Sequence, residues 1–346
     1  MSSPRPNPLF ELTVSRFREF VREPEAVFWV FAFPVIMTMA LGIAFRSRGA
    51  EPVIAGVIEQ PGADQIVEAL QKNGGFTVRR IPAAEADRAL RDGRAPVLIV
   101  PGSPPAYRFD EARAESQVAR LAVDAALQRA AGRTDAFAPT QEPIRTVGSR
   151  YIDWLVPGLL GMNIMGTGLW GVGFSIVQAR SKKLLKRLVA TPMSKTHYLL
   201  SIVLSRLATL TLEVVIIIGF AWIAFGVAVH GPLWALAVLA LFGALAFGGL
   251  GLFVASRART VEAVSGLMNL VMLPMWVLSG IFFAATNFPD AMQPFIHVLP
   301  LTALNDAMRA VVNEGRSLDA VLPQMAILAT WGSVSFGLAL KLFRWQ

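Results

Sequence analysis

Glu213 is the residue whose placement most demands a chemical explanation. It is the only charged residue in an apolar run from Leu207 to Val229. A carboxylate inside a membrane span is costly unless it is paired or used, so it reads first as a functional site, on a substrate or gating route. Arg206 lies seven residues earlier and so on nearly the same helix face. The competing account is a packing-face Glu held by Arg206 or by a backbone donor. Intramembrane charges usually pair, and the sequence favours the pair. Asn163 and Asn269 complete the intramembrane polar candidates.

Other chemistries find no support. The chain has no cysteine, which removes disulfides, thiolate nucleophiles and Cys-ligated metals. His197, His230 and His297 fall in separate loops or interfaces and make no metal-ligand spacing. The chain holds no Gly-x-x-x-x-Gly-Lys-Ser/Thr loop, so it carries no ATP site of that kind. The net charge is +8, yet Lys and Arg gather beside apolar runs instead of forming a basic domain, which argues against nucleic acid. The acids and arginines of residues 46–150 read as a solvated surface.

These residues must be positioned by helices in lipid. The composition is 54% hydrophobic and only 16% charged, whereas soluble domains carry about 25% charged residues. Crossing the hydrocarbon takes ~20 apolar residues. Six runs qualify: Ala26–Phe45, with Pro34 as a kink, Trp154–Val177, Leu207–Val229, Leu233–Ala255, Ala263–Ala285 and Ala320–Leu340. The third has room to begin earlier, near Tyr198. The first is too long for a signal-peptide core and follows a charged segment, so it reads as a retained span. Met268, Met272 and Met275 form a stripe on the fifth run, read as packing or the lining of a tolerant apolar path. Ala240, Ala244 and Gly248 form a small-residue seam on the fourth.

The positive-inside rule orients the spans. Arg5, Arg16, Arg18 and Arg22 precede span one; Arg180, Lys182, Lys183, Lys186, Arg187 and Lys195 lie between spans two and three; Lys341 and Arg344 follow span six. Both termini are therefore expected in the cytoplasm of a cell with the protein in its inner membrane. Residues 46–150 are then expected outside. There Val53–Glu59, Phe76–Ile81 and Pro96–Val100 read as strands, and Ala63–Lys72, Ala83–Arg91 and Glu111–Ala131 as helices. The last carries Val118, Leu121, Ala125 and Ala126 on one side. The whole is a polytopic α-helical membrane protein with an inserted α/β or α+β extracytoplasmic domain between helices one and two.

Three further segments stand out. Residues 1–25 hold Phe10, Val14, Phe17 and Val21 at helical spacing, suiting a cytoplasmic interface helix in contact with membrane lipid. Between spans two and three, Leu184, Leu185, Leu188 and Val189 share one side of a short helix, residues 181–190, with Lys182, Lys183, Lys186 and Arg187 largely opposite. Pro192 stops it. This is either a basic helix touching anionic lipid or a docking helix with its apolar ridge in a partner's groove. After span five, residues 286–314 include Pro300, Asn305, Asp306 and Arg309 in two short helices too polar to span. Thr302 reads as a cap there.

With those motifs in place, the chain resembles the permease subunits of ABC-2 type exporters over nearly its whole length. The resemblance rests on the six-span layout with a domain after span one. It rests also on Lys183-Leu-Leu-Lys-Arg-Leu-Val-Ala-Thr-Pro-Met-Ser194, similar to the family's coupling segment. Met272-Leu-Pro-Met-Trp-Val-Leu-Ser-Gly-Ile-Phe-Phe283, followed by Leu299-Pro-Leu-Thr and Ala307-Met-Arg309, is similar to the family's outer re-entrant region. Where the family often carries an acidic residue this chain has Lys186, which leaves the partner's charge open. The resemblance implies a multidrug-efflux type of exporter subunit, not an enzyme and with no cofactor of its own. It implies separate cytoplasmic ATPase subunits that hold ATP and Mg, and a second permease copy, identical or a paralogue. The outer domain would gate the exit or dock a periplasmic or cell-wall adaptor. The rivals are a membrane-embedded enzyme, for which only Glu213 with a few Asn and Ser is available, and a sensor or scaffold whose outer domain binds a ligand.

Overall fold

The computed structural model describes residues 8–45, 52–134, 148–181, 195–258 and 260–342, with isolated positions between 137 and 142. The chain divides into two compact units, one of residues 1–47 with 145–346, the other of residues 48–144. The residues expected to couple to a partner, Lys182, Lys183, Leu184, Leu185, Lys186, Arg187, Leu188 and Pro192, lie outside the described residues.

Among the described residues of the first unit, six helices are long and apolar enough to cross a membrane. Span one is Pro24–Ala44, span two Tyr151–Gln178, span three Val203–Phe225, span four Leu233–Arg257, span five Val261–Leu278 and span six Leu318–Leu342. Span three continues a helix that begins at Lys195. An amphipathic helix, Pro8–Val21, precedes span one, and Arg16 Nε donates to Ser201 Oγ at 3.2 Å. The core runs along span two, where Leu155, Leu159, Leu160, Ile164 and Met165 are fully buried against spans three, four and five and the helix Pro300–Val312. Spans three and five end earlier than the apolar runs suggest. Gly226 (φ +64°) and Gly280 (φ +67°) take left-handed backbone that side-chain-bearing residues avoid, and each breaks its helix before the hydrophobicity does.

Spans two and four touch through glycine. A Cβ on Gly251 would stand 2.7 Å from the Leu169 carbonyl, and one on Gly249 would stand 2.9 Å from that of Gly332 on span six. Small residues permit this closeness, which supplies the packing that hydrophobicity cannot supply in lipid. The seam thus lies on Gly249 and Gly251; of the expected trio, Ala240 is buried while Ala244 and Gly248 are only half-buried.

The second unit holds a four-stranded sheet in the order β2-β1-β3-β4. The strands are β1 Val53–Ile58, β2 Phe76–Ile81, β3 Val97–Val100 and β4 Ala106–Phe109. β1 pairs in parallel with β2 and β3, while β3 and β4 are antiparallel. Parallel neighbours need crossover connections, supplied by the helices Ala63–Asn73 and Ala86–Arg91. Alternation along β3 sends Val97 and Ile99 into one cluster with the helices Ala63–Asn73 and Ala114–Ala130, and Leu98 into another with Ala86 and Ala89. The helix Ala114–Ala130 buries Ala119, Val123 and Ala126. Val118 and Leu121, expected inside, are exposed. Small side chains let the helix lie close to the sheet, and that outweighs the larger apolar groups.

Candidate functional site

Glu213 is wholly buried on span three, and Arg206 reaches forward along the same helix to place Nη1 2.8 Å from Oε1. Seven residues span ~10 Å of helix axis, a distance within reach of an extended arginine. The pair is not isolated. On span two, Asn163 and Thr167 lie one turn apart, and both bond the carboxylate: Asn163 Nδ2 donates to Oε2 at 3.4 Å and Thr167 Oγ1 at 3.2 Å. Arg206 Nη2 also donates to Thr167 Oγ1. The Thr167 hydroxyl also lies 2.8 Å from the Asn163 carbonyl. It has one proton, so it can donate to the carboxylate or to that carbonyl at any one time.

Asn163 has a second duty, donating to the Val30 carbonyl of span one at 3.1 Å. An α-helix would pair that carbonyl with the N–H of residue 34, and Pro34 has none. The helix is π-wound over Phe28–Ala32, just ahead of the proline. The same substitution of donors recurs where Pro157 removes the N–H that would serve Asp153. There Asn313 Nδ2 donates to the Asp153 carbonyl at 2.9 Å. Lipid offers no donor for such carbonyls; local π-winding and side-chain donors from neighbouring helices are the two ways of serving them. Spans one, two and three are thus joined by one polar cluster. Val30 and Thr167 were not singled out from sequence, although a proline four residues on marks Val30. Asn269, the other intramembrane candidate, stands apart from this cluster. It lies on an exposed face of span five and has no hydrogen bond among the described residues to this cluster.

The second polar group lies on a bent pair of helices, Asp290–Val298 and Pro300–Val312, which meet at 82°. Pro300 occupies the first turn, where a missing N–H costs nothing. Leu299 is the N-cap residue, and Thr302, expected as the cap, is buried one turn in. Arg309 is 5% exposed. Its guanidinium stacks 3.4 Å from the Trp154 ring centre, donates to the carbonyls of Trp154 (3.3 Å) and Gly280, and lies 3.6 Å from Asp306. Asn305 Nδ2 donates to the Ser279 carbonyl at 3.1 Å. Arg309 and Asn305 therefore fasten the carbonyls just past the end of span five. Pro300, Asn305, Asp306 and Arg309 all sit on the second helix of this pair and form a group separate from the Glu213 cluster.

Met268, Met272 and Met275 are buried, and the Trp170 indole donates to Met272 Sδ at 3.2 Å, so the stripe packs the bundle. His230 Nδ1 lies 3.1 Å from the Val312 carbonyl. No metal-binding group of three or more His, Cys, Asp or Glu occurs among the described residues.

The sequence profile of the ABC-2 family transporter proteins matches residues 25–341. The chain is 23% identical over 370 residues to the inner membrane transport permease YhhJ of Escherichia coli, covering 97% of this chain and 96% of that protein. It is also 23% identical to the linearmycin resistance permease protein LnrN of Bacillus subtilis, over 51% of this chain and 46% of LnrN. With the probable multidrug ABC transporter permease YbhR of Escherichia coli it shares 23% identity over 54% of this chain and 51% of YbhR. A profile match across nearly all of a six-span chain decides the assignment: the protein belongs to the ABC-2 transporter family, as a multi-pass membrane permease.

Proposed function

We propose that this permease is the membrane subunit of an ATP-driven exporter, forming the substrate path and driven by separate ATPase subunits. The observation that carries the reading is the family match over residues 25–341, which takes in all six spans but for the first residue of span one and the last of span six. A chain without a Gly-x-x-x-x-Gly-Lys-Ser/Thr loop draws its ATP hydrolysis from a partner in this reading, and the apolar ridge Leu184, Leu185 and Leu188 is the segment suited to receive it. In this reading both termini and the 181–190 segment face the cytoplasm, because the positive-inside rule places Lys and Arg there. The unit of residues 48–144 is then extracytoplasmic, where it gates the exit or docks an envelope partner. Two permease copies assemble with two ATPases. ATPase closure pushes the 181–190 segments, the spans tilt as rigid bodies, and the path changes its accessible side.

The test is reconstitution of the permease with its co-purifying ATPase into vesicles. ATP-dependent accumulation of a dye or drug, lost when the ATPase is omitted, supports the exporter. A permease that never retains an ATPase, while its outer unit binds a ligand stoichiometrically, identifies a sensor instead.

A further inference from the structure

Where the bent pair meets span six, the surface holds a recess of about 380 Å³ lined by Pro294, Phe295, Val298, Leu299 and Trp331. Four of these side chains are hydrocarbon. The fifth, Trp331, directs its indole N–H to the Val298 carbonyl at 2.9 Å, and Leu299 N–H is taken by the Ile296 carbonyl at 3.2 Å. The recess therefore offers a polar ligand almost nothing to bond. Phe295 is 76% and Val298 56% exposed, so it opens on the outside of the bundle.

Its depth identifies the medium. Trp331 lies thirteen residues beyond Leu318, where span six begins, or ~20 Å along the helix axis. That is well inside a hydrocarbon layer ~30 Å thick. Backbone that leaves a helix at such depth must find its donors within the protein. The Trp331–Val298 bond supplies one at the break between the two short helices, which fits a surface bathed in lipid tails.

We propose that this recess is a binding site for one acyl chain of a membrane phospholipid, held against the break of the bent pair. A flat helix face exchanges lipid freely, whereas a concave one flanked by two aromatic rings contacts a chain on several sides and orders it. The site is independent of the exporter reading, since it needs only the two membrane-embedded elements.

The test uses the full-length protein in liposomes containing a phosphatidylglycerol with a diazirine midway along one acyl chain. After illumination, labelling of residues 294–299 and Trp331 is expected several-fold above that of Leu245, an exposed residue of span four. Val298→Trp fills the recess from an exposed position and is expected to abolish the enrichment while leaving Leu245 labelling unchanged. A second measurement does not depend on that variant. Phospholipid brominated on its acyl chain should quench Trp331 strongly, read as the difference between the wild type and Trp331→Phe. Equal labelling at the recess and Leu245, unaffected by Val298→Trp, would reduce the recess to ordinary annular lipid contact and overturn the proposal. So would efficient disulfide formation between two copies carrying Val298→Cys, because protein would then cover the recess.

Discussion

Arg206 and Glu213 form an ion pair of 2.8 Å within one helix, and the carboxylate is the more deeply buried partner. Removing one member of such a pair strands the other. Glu213→Gln keeps the shape but leaves the Arg206 charge unbalanced, and breaking buried pairs costs ~3–5 kcal/mol. The variant is expected to lose thermal stability in detergent while retaining transport within a few-fold. Arg206→Met combined with Glu213→Leu should be more stable than Glu213→Gln alone, since paired apolar replacements are often neutral. Normal stability with no transport would instead put Glu213 on the substrate or gating route.

Pro34 and Asn163 should be energetically coupled. Asn163→Ala removes the amide that donates to the Val30 carbonyl and to Glu213, at a cost of ~1–3 kcal/mol for a buried group left unsatisfied. Restoring the N–H with Pro34→Ala should shrink that cost. A double-mutant cycle on thermal midpoints measures the coupling. Additive effects would mean the asparagine does not serve the proline's carbonyl.

The proposed docking role of the 181–190 segment depends on its leucines. Burying a Leu stabilises by ~1.5–3 kcal/mol, so Leu184→Ala with Leu188→Ala should weaken ATPase association by ~10²-fold or more. Lys182→Gln with Lys183→Gln should do less, because exposed charges add little affinity. Pull-down of the ATPase from solubilised membranes, normalised to permease abundance, separates the two. Loss in the lysine variant alone would make the docking electrostatic.

The absence of cysteine makes topology directly measurable. Single cysteines at positions 110 and 183 should react oppositely with an impermeant maleimide in intact cells: 110 labelled, 183 protected. The reverse pattern would invert the proposed orientation.

Tyr107 provides a pH test of the inserted unit. Partial burial first, and its hydrogen bond to Asp124 (3.1 Å) second, push its phenol up to about 12 from the usual 10.0. The fold favours the neutral phenol. Its contribution is therefore fully present below pH ~10 and lost as the pH rises through about 12. Difference spectra of wild type against Tyr107→Phe should show a phenolate appearing near pH 12. Ionisation near the ordinary value would mean that Asp124 does not hold the hydroxyl.

Much of this architecture was legible because lipid imposes strong rules. Long uncharged runs located all six spans, and seven-residue spacing paired Arg206 with Glu213. What stayed hidden depends on neighbours. Nothing around Asn163 reveals that its amide bridges two other spans. The helix Ala114–Ala130 buries Ala119, Val123 and Ala126 and exposes Val118 and Leu121, a rotation set by its packing on the sheet. β4 is four residues long behind Pro104 and Pro105, too short for its alternation to register. Spans three and five ended at glycines, where backbone geometry overruled hydropathy.

The two asparagine-to-carbonyl bonds also limit how the bundle can move. Both fasten a neighbour to span two, one from span one through Val30 and Asn163, the other from Asn313 through Asp153. If span one slid along span two by a helical turn, ~5.4 Å, the Asn163 amide and the Val30 carbonyl would be stranded together inside the bundle, at several kcal/mol each, and the same slide at the end of span two would part Asn313 from the Asp153 carbonyl. Pivoting about the same two points strands neither. Span two is thereby an axle with keyed bearings, on which adjoining helices rock but do not travel like pistons.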